Sequence, residues 1–324
     1  MKITCSKALL ILITCFHITT AWGTTKLLTS ITQREDKLTV LEHLGTLSSD
    51  NFEGRKFASQ GSIKSQSYLI SILKQLDVTA FNNQYRHTFN RSGLSQTKRG
   101  TNIIGIIEGT HYLDEYIVLS AHYDHLGTKG RKVYNGADDN ASGTSALLYY
   151  AQILKENPLK HSVILLFTDG EEVDLLGAKA FISQQKIILS KVKLNINLDM
   201  ISGSKRTKKL RFISKNLSRI LSTQSLTDFS KLQSHLNKNS VIHLTHGFRG
   251  TRTMGSKVKR NNWLMASDHG VFSKAGIPFI YFGVGTHKNY HTEFDNYGNI
   301  NKTFYLAAVD AIFAQLIYVD NAMF

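Results

Sequence analysis

Residues 143–199 read GTSALLYYAQILKENPLKHSVILLFTDGEEVDLLGAKAFISQQKIILSKVKLNINLD, and they alternate between two apolar patterns. Segments of helical character at 143–156 and 175–185 are each followed by a short strand-like run, at 162–168 and 193–199. Successive helix–strand units of this kind predict parallel strands whose connecting helices cover the sheet. We therefore expect an α/β fold: a single domain with a mostly parallel central sheet flanked by helices on both faces.

The alternation extends to both sides of this stretch. The further elements expected from periodicity and from β-branched content are helices at 36–47 and 62–76, strands at 102–107 and 116–120, and then helix 268–275, strand 278–284 and helix 302–319. No internal repeat or low-complexity linker separates these elements. The pattern thus favours one domain over two.

Side chains that bind metals follow several of the predicted strands. These residues are His122, Asp139, Glu172, Asp199 and His291, and Glu171 immediately precedes one of them. Ligands gather at the carboxyl ends of parallel strands, so residues far apart in the sequence are brought to one edge of the sheet. Two histidines and three carboxylates suit a pair of zinc ions, and a neighbouring carboxylate can take a proton from an activated water molecule. The pattern indicates a metallohydrolase.

Each of these motifs has an ordinary structural interpretation when it is taken alone. GADDNASG, residues 136–143, could be a helix-capping turn, and the acids of FTDGEE, residues 167–172, could complement a helix dipole. Neither explanation accounts for Asp199, an acid that closes a buried-looking strand and is costly to bury without a cation. Asp124 could orient His122 by accepting a hydrogen bond from its ring. Spacing alone does not choose among the later histidines, which are His269, His287 and His291.

The amino terminus has the features of an export signal. Lys2 and Lys7 precede a short apolar run, and small residues follow it up to Gly23. We expect a signal peptide at residues 1–23 that is cleaved near Gly23, no permanent membrane span, and a periplasmic or extracellular protein. Both cysteines, Cys5 and Cys15, lie in this segment, so the mature domain at 24–324 would have no disulfide. Lipidation at Cys15 stays open.

Positive charge is concentrated in one part of the chain. The formal net charge is +15, and residues 204–261 hold fourteen lysines and arginines against one acid, Asp228. We interpret this segment as a basic insertion or lid, which either attracts an anionic partner or envelope surface or is simply solvated. No motif that reads nucleic acid accompanies the charge, so we expect no nucleic-acid partner.

Taken together, the motifs resemble the M28 family of zinc metallopeptidases, which includes secreted bacterial aminopeptidases. The resemblance runs from SSDNFEGR, residues 48–55, through HYD, GADDNASG and FTDGEE to Tyr290 and His291. It implies two zinc ions, with Asp139 bridging them and a cis peptide bond between Asp139 and Asn140. By the same resemblance His122 and Asp199 bind one zinc, and Glu172 and His291 bind the other.

The resemblance also implies roles for residues that do not bind metal. Glu171 would be the general base, Tyr290 would hydrogen-bond the reacting carbonyl oxygen, and Asp124 and Asp268 would support the ligands. The expected activity is hydrolysis of peptide bonds by a water molecule bridging the metals, most simply as an aminopeptidase that releases N-terminal residues.

Three alternatives stay open. The first is a carboxypeptidase or dipeptidase in which Arg249, Arg252 or another basic side chain grips a terminal carboxylate. The second is a glutaminyl cyclase, which resembles these peptidases but uses one zinc. The third is a binding module without catalytic activity, although no ligand type is missing from this sequence. Oligomeric state and side-chain specificity are not indicated.

Overall fold

Four parallel strands form the centre of the main sheet and carry the candidate site at their carboxyl ends. The computed structural model describes residues 35–91, 97–239, 241–248, 251–254, 257–260 and 262–324. The predicted signal peptide and both cysteines lie outside these ranges. Within them, residues Leu38–Phe324 form one compact unit.

The strands of the described residues are numbered here in chain order. They are β1 (Thr79–Ala80), β2 (Arg86–Arg91), β3 (Lys98–Ile107), β4 (Tyr112–His122), β5 (Gly127–Lys129), β6 (Lys132–Tyr134), β7 (His161–Thr168), β8 (Val192–Leu198), β9 (Lys209–Lys215), β10 (His243–His246), β11 (Thr251–Met254), β12 (Lys257–Arg260) and β13 (Phe279–Gly283).

The helices are numbered in the same way. They are α1 (Thr39–Leu47), α2 (Gln60–Gln75), α3 (Gly143–Glu156), α4 (Leu176–Gln184), α5 (Lys186–Leu189), α6 (Thr223–Asn239), α7 (His269–Lys274) and α8 (Lys302–Ala322). Three shorter segments also contribute residues near the site. They are the 3-10 segments Asp50–Arg55 and Trp263–Met265 and the π-helical turn Ala137–Ser142.

The main sheet has the order β1-β3-β7-β4-β8-β13-β9-β10, and β2 pairs with β3 beside this path. The pairs β7–β4, β4–β8 and β8–β13 are parallel, and antiparallel pairs flank this centre on both sides. All eight residues of β7 are buried, as expected for a parallel strand that is covered on both faces. The predicted fold class is therefore confirmed.

Helices pack on the apolar side chains of these central strands. On one face, Val118 of β4 and Ile164 of β7 lie in a buried cluster with Phe181 of α4 and Phe272 of α7. Helix α3 packs against β3, β4 and β7, and it is joined to α8 by a hydrogen bond from the hydroxyl of Tyr150 to a backbone carbonyl. These layers hold the strand ends in fixed positions.

Helix α8 is, among the described residues, the one helix long and apolar enough to cross a membrane, and 72% of its apolar window is buried inside the fold. That burial is what a core helix requires.

The basic segment, which the sequence analysis treated as an insertion or lid, contains sheet strands that we did not predict. Strands β9 and β10 pair in parallel and extend the main sheet beyond β13. Helix α6 connects them, and β11 and β12 form a separate two-stranded ribbon. The sequence of β9, KLRFISK, mixes cations with its buried residues because its surroundings are partly exposed. A search for uniformly apolar runs misses such a strand.

Candidate metal centre

Three of the predicted ligands lie where central strands end. His122 is the last residue of β4, Glu172 follows the end of β7 by four residues, and Asp199 comes directly after β8. Because these three strands are parallel neighbours, their carboxyl ends place the three side chains at one edge of the sheet.

The fourth predicted ligand, Asp139, is fixed by its backbone. It lies in the π-helical turn Ala137–Ser142 ahead of α3, and the peptide bond between Asp139 and Asn140 is cis, which confirms that expectation. The backbone N–H groups of Asp138 and Asp139 donate to the carboxylate of Asp295 at 2.9 and 3.0 Å. Asp295 therefore holds the turn that presents Asp139.

Asp139 has one histidine at each of its carboxylate oxygens. Nε2 of His122 lies 3.3 Å from Oδ1 of Asp139 and also 3.3 Å from Oδ1 of Asp199. Nε2 of His291 lies 3.2 Å from Oδ2 of Asp139 and 3.3 Å from Oε1 of Glu172. The structure thus brings the five predicted ligands together, with Asp139 shared between two sets.

These separations fit zinc. Two donors that are each about 2.0–2.1 Å from a tetrahedral zinc ion lie about 3.3–3.4 Å apart, and the four distances above match that value. Nε2 of His291 and Oε1 of Glu172 are buried without a hydrogen-bond partner among the described residues. Glu171 also forms a group with His122 and Asp199 that could hold a metal ion, since one potential ligand atom of each residue lies within 4.8 Å of the others.

The other two late histidines have different partners. Nε2 of His287 lies 2.8 Å from Oδ2 of Asp138, and Nε2 of His269 lies 2.8 Å from the backbone carbonyl of Trp263. His291 is therefore the late histidine that faces Asp139 and Glu172. The same contacts separate Asp138, which pairs with His287, from Asp139.

Asp124 supports the site in a way that differs from our prediction. The backbone carbonyl of Asp124, not its carboxylate, is the closer acceptor for Nδ1 of His122, at 3.1 Å against 3.6 Å. The carboxylate instead accepts the backbone N–H groups of Glu171 and Glu172 at 3.0 and 3.3 Å. Asp124 therefore positions both glutamates as well as the histidine.

Asp268 and Tyr290 lie next to the ligands. Asp268 is fully buried and accepts a hydrogen bond from the hydroxyl of Thr168 at the end of β7. The ring of Tyr290 stacks on that of His291, with 3.7 Å between the ring centroids. This stacking places the tyrosine at the rim of the centre.

Two residues of the centre were missed by the sequence analysis. His125 is buried and groups with Asp139 and Glu172 as a possible metal ligand. A histidine three residues after His122 was the available signal. Arg55 is 1% exposed, and its guanidinium donates to the backbone carbonyls of Leu47, Tyr123, Asn135 and Gly136. It therefore ties the segment after α1 to the turn that carries Asp139.

The electrostatics of the ligands show how strongly they interact. Burial opposes ionisation of Asp139 and Glu172, but the neighbouring histidines His122, His125 and His291 hold the pKa of Asp139 well below its usual value, and His125 and His291 hold that of Glu172 at about 2. Burial lowers the pKa of His291, yet Asp139 and Glu172 raise it to about 10. The ionised forms of Asp139 and Glu172 are thus stabilised by the positive charge beside them.

Glu171 differs from its neighbour Glu172. Burial raises the pKa of Glu171 well above its usual value, against the attraction of His122, and Glu172 and Asp199 raise it further. Two adjacent carboxylates in different environments have different affinities for a proton. Glu171 is the one suited to hold a proton.

Comparison with known proteins places this centre in a family. The model of peptidase family M28 matches residues 102–316. A glutamate carboxypeptidase 2 homolog from Caenorhabditis briggsae is 28% identical over 242 residues, which are 67% of this chain and 28% of that protein. Aminopeptidase YwaD from Bacillus subtilis (strain 168) is 32% identical over 135 residues, 41% of this chain and 28% of that protein.

A solved structure shares the fold. A zinc aminopeptidase from Bacillus subtilis, called BSAP, superimposes with a TM-score of 0.67 at 17% identity, covering 89% of this chain and 95% of that one. The chain spans about a quarter of the length of the two curated relatives described above. The family match covers most of the chain and includes all five predicted ligands, and the chain therefore belongs to peptidase family M28.

Proposed function

We propose that this protein is an exported di-zinc metallopeptidase, and most specifically an aminopeptidase that releases N-terminal residues. The observation that carries this proposal is the position of Asp139, which meets His122 at one carboxylate oxygen and His291 at the other. A shared carboxylate with separate donors on each side is the arrangement that a two-metal site requires. Asp199 would complete one set and Glu172 the other.

The zinc ions would lower the pKa of a water molecule and polarise the scissile carbonyl when they are bound. The role of Glu171 follows from its place beside both His122 and Asp199. Its carboxylate is near enough to take a proton from the attacking water and to deliver it to the leaving amine. Tyr290, stacked on His291 at the rim, would donate its hydroxyl to the oxygen on which negative charge develops.

Two features favour the amino end of a peptide as the point of attack. Glu171 and Glu172 are partly exposed at the centre and can attract a free α-amino group. One of the relatives is named an aminopeptidase. The other is named a glutamate carboxypeptidase homolog, so the opposite direction is the second candidate. Arg249, one of the arginines suggested to bind a terminal carboxylate, lies outside the described residues.

The direction is tested with zinc-loaded protein and three matched peptides: one with free ends, one blocked at the amino end and one amidated at the carboxyl end. We expect cleavage of the free and amidated peptides and no cleavage of the N-blocked one. Cleavage that survives N-blocking contradicts the aminopeptidase assignment, and loss on amidation indicates a carboxypeptidase.

A fourth peptide beginning with glutamine separates the cyclase alternative, because ring closure releases ammonia without shortening the chain. If zinc binds but none of the four peptides reacts, the binding-module alternative is favoured.

Export is part of the proposal and rests on the sequence of residues 1–23 alone. It is tested by determining the N-terminal sequence of protein recovered from outside the cytoplasm. A mature terminus near residue 24 is expected, and an intact Met1 in that fraction would contradict the cleavage.

A further inference from the structure

His125 lies inside the candidate metal centre, yet the ligand sets and the catalytic roles proposed above do not use it. The side chain is fully buried. Its Nδ1 atom lies 3.0 Å from Oε1 of Glu172 and 3.8 Å from Oδ2 of Asp139. These are the same two oxygens that face His291.

Hydrogen bonding does not account for this placement. Among the described residues, neither Nδ1 nor Nε2 of His125 has a partner with hydrogen-bond geometry, in spite of the short distance to Glu172. A buried neutral imidazole normally satisfies both ring nitrogens, since an unmade hydrogen bond in the interior costs free energy. Oε1 of Glu172 and Nε2 of His291 are unsatisfied in the same way. Nδ1 of His125 and Nε2 of His291, which come from different segments, therefore both lie near Oε1 of Glu172 without a hydrogen bond.

The backbone of His125 and the close approach of Gly136 determine where its ring lies. The backbone N–H of His125 donates to the carbonyl oxygen of Arg55 at 3.3 Å. On the other side, Gly136 packs so closely that a Cβ atom there would come within 2.5 Å of Cγ of His125. Gly136 also has a φ of +54°, a conformation that glycine adopts without strain. A side chain at position 136 would therefore displace the imidazole.

We propose that His125 is a fourth protein ligand of the metal held by Asp139, Glu172 and His291, an inference that rests on the proposed metal-dependent function. The separations of its Nδ1 atom from the two carboxylates, 3.0 and 3.8 Å, bracket the donor–donor distance of about 3.3–3.4 Å in a tetrahedral zinc site. Coordination by Nδ1 also explains why the carboxylate of Glu172 is so close without forming a hydrogen bond.

The consequence is that the two metal positions are unequal. The position beside His122 has Asp139 and Asp199 as its other ligands and keeps an open place for water and substrate. The position beside His291 has four protein ligands, which is the composition of a closed and tightly bound zinc site. Zinc should therefore fill the His291 position first and leave it last.

The experiment is a zinc titration of the metal-free protein against a competing chelator, with the His125→Asn variant beside the wild type. Asparagine keeps a polar atom near the place of Nδ1 but is a poor zinc ligand. We expect two binding steps of clearly different affinity in the wild type, and in the variant a weakening of the tighter step by about 100-fold. The weaker step should change far less.

His161→Asn is the matched control. His161 is also buried, and it is the first residue of β7, at the end of that strand away from the centre. Its Nδ1 atom is 2.8 Å from Oδ1 of Asp320. This variant loses a buried imidazole without touching the metal centre, so both steps should remain as in the wild type. Two unchanged steps in His125→Asn would overturn the proposal.

A second measurement needs no variant and covers the case in which His125→Asn does not fold. In the wild type loaded with Co²⁺, each metal-bound imidazole contributes one shifted, exchangeable ring N–H proton resonance. Three such resonances are expected, from His122, His125 and His291, and two would overturn the proposal. Neither measurement uses a substrate, so a failure of the proposed peptidase activity would be seen separately in the peptide assays.

Discussion

Asp138 and Asp139 are adjacent in the chain, but their carboxylates contact different histidines. Oδ2 of Asp138 lies 2.8 Å from Nε2 of His287, and Oδ2 of Asp139 lies 3.2 Å from Nε2 of His291. Oδ1 of Asp138 also accepts hydrogen bonds from Ser202 and Gly203. One aspartate therefore fastens the loop after β8, and the other faces the metal centre.

Replacing aspartate by asparagine at these two positions should have different consequences. We expect Asp139→Asn to weaken zinc binding at both positions by about 100-fold or more, because it removes the shared ligand. Asp138→Asn should keep both zinc ions and lower the free energy of unfolding by about 1–3 kcal/mol, since some of its buried hydrogen bonds are lost. Zinc content after dialysis and urea unfolding check the two results. Equal loss of zinc in both variants would contradict the assignment of Asp139 as the bridging ligand.

Glu171→Gln should separate catalysis from metal binding. The variant keeps the shape of the side chain but cannot accept a proton, so we expect kcat to fall by about 10²-fold to 10⁴-fold with the zinc content unchanged. Glu172→Gln, one position along the chain, is the control and should lose zinc from the His291 position. Metal analysis with a peptide assay distinguishes the two variants. Loss of zinc from Glu171→Gln would show that Glu171 is a ligand rather than the base.

Arg55→Lys should destabilise the protein although the charge is kept. The guanidinium makes four hydrogen bonds to backbone carbonyls, and a lysine ammonium on a flexible stem cannot reach all four. At least two buried carbonyls would lose a charged donor, so the free energy of unfolding should fall by about 3 kcal/mol or more. Arg86→Lys at an exposed position should change it by less than about 0.5 kcal/mol. A small effect at both positions would mean that Arg55 does not anchor the turn before Asp139.

Much of the fold follows from the sequence because its centre is built from local patterns. The buried strands β7 and β8 and the helix α3 are long, uniform and bounded by turn residues, so their positions are close to those predicted. Strand β4 begins several residues before the predicted strand because its first residues are exposed and include the acids Asp114 and Glu115. Strands β9 and β10 belong to a partly exposed region where charge hides the apolar pattern.

From the residues alone, the centre was predictable where a metal-binding side chain lies at or just after the end of a strand. That rule located His122, Glu172 and Asp199, whereas Asp139 and His291 were chosen through the family resemblance. The choice of His291 over His287 and His269 depends on Asp138 and on the carbonyl of Trp263, which are distant in sequence. Spacing carries no information about such contacts. The roles of His125 and Arg55 were missed for the same reason.

The stability of the protein should depend on the ionisation of His43, which lies far from the metal ligands in sequence. Burial lowers the pKa of His43 to about 4, and its Nδ1 atom is 2.8 Å from the hydroxyl of Tyr68. In the unfolded chain His43 binds a proton as the pH falls below about 6.5, whereas in the native state it does so only near pH 4. The contribution of neutral His43 to stability is therefore fully present above pH 6.5 and is lost as the pH falls towards 4. The loss should reach up to about 2 kcal/mol between pH 7 and pH 5.

Substitution identifies this contribution among the other titrating groups. His43→Gln can keep the hydrogen bond to Tyr68 but does not titrate, so the difference in unfolding free energy between pH 7 and pH 5 should shrink by that amount. His111→Gln, at an exposed position, should leave the difference as it is in the wild type. Denaturant unfolding at the two pH values measures both. An unchanged difference in His43→Gln would contradict the shift.

The ligands of the centre come from five segments of the chain: the ends of β4, β7 and β8, the turn ahead of α3, and the loop beyond β13. No short stretch of the unfolded polypeptide contains a complete set, so a nascent chain can capture zinc only weakly. We therefore expect zinc to bind after folding has brought these segments together, rather than to guide the pairing of the strands. The proposed peptidase would then be inactive until its own chain is folded and is no longer an accessible substrate.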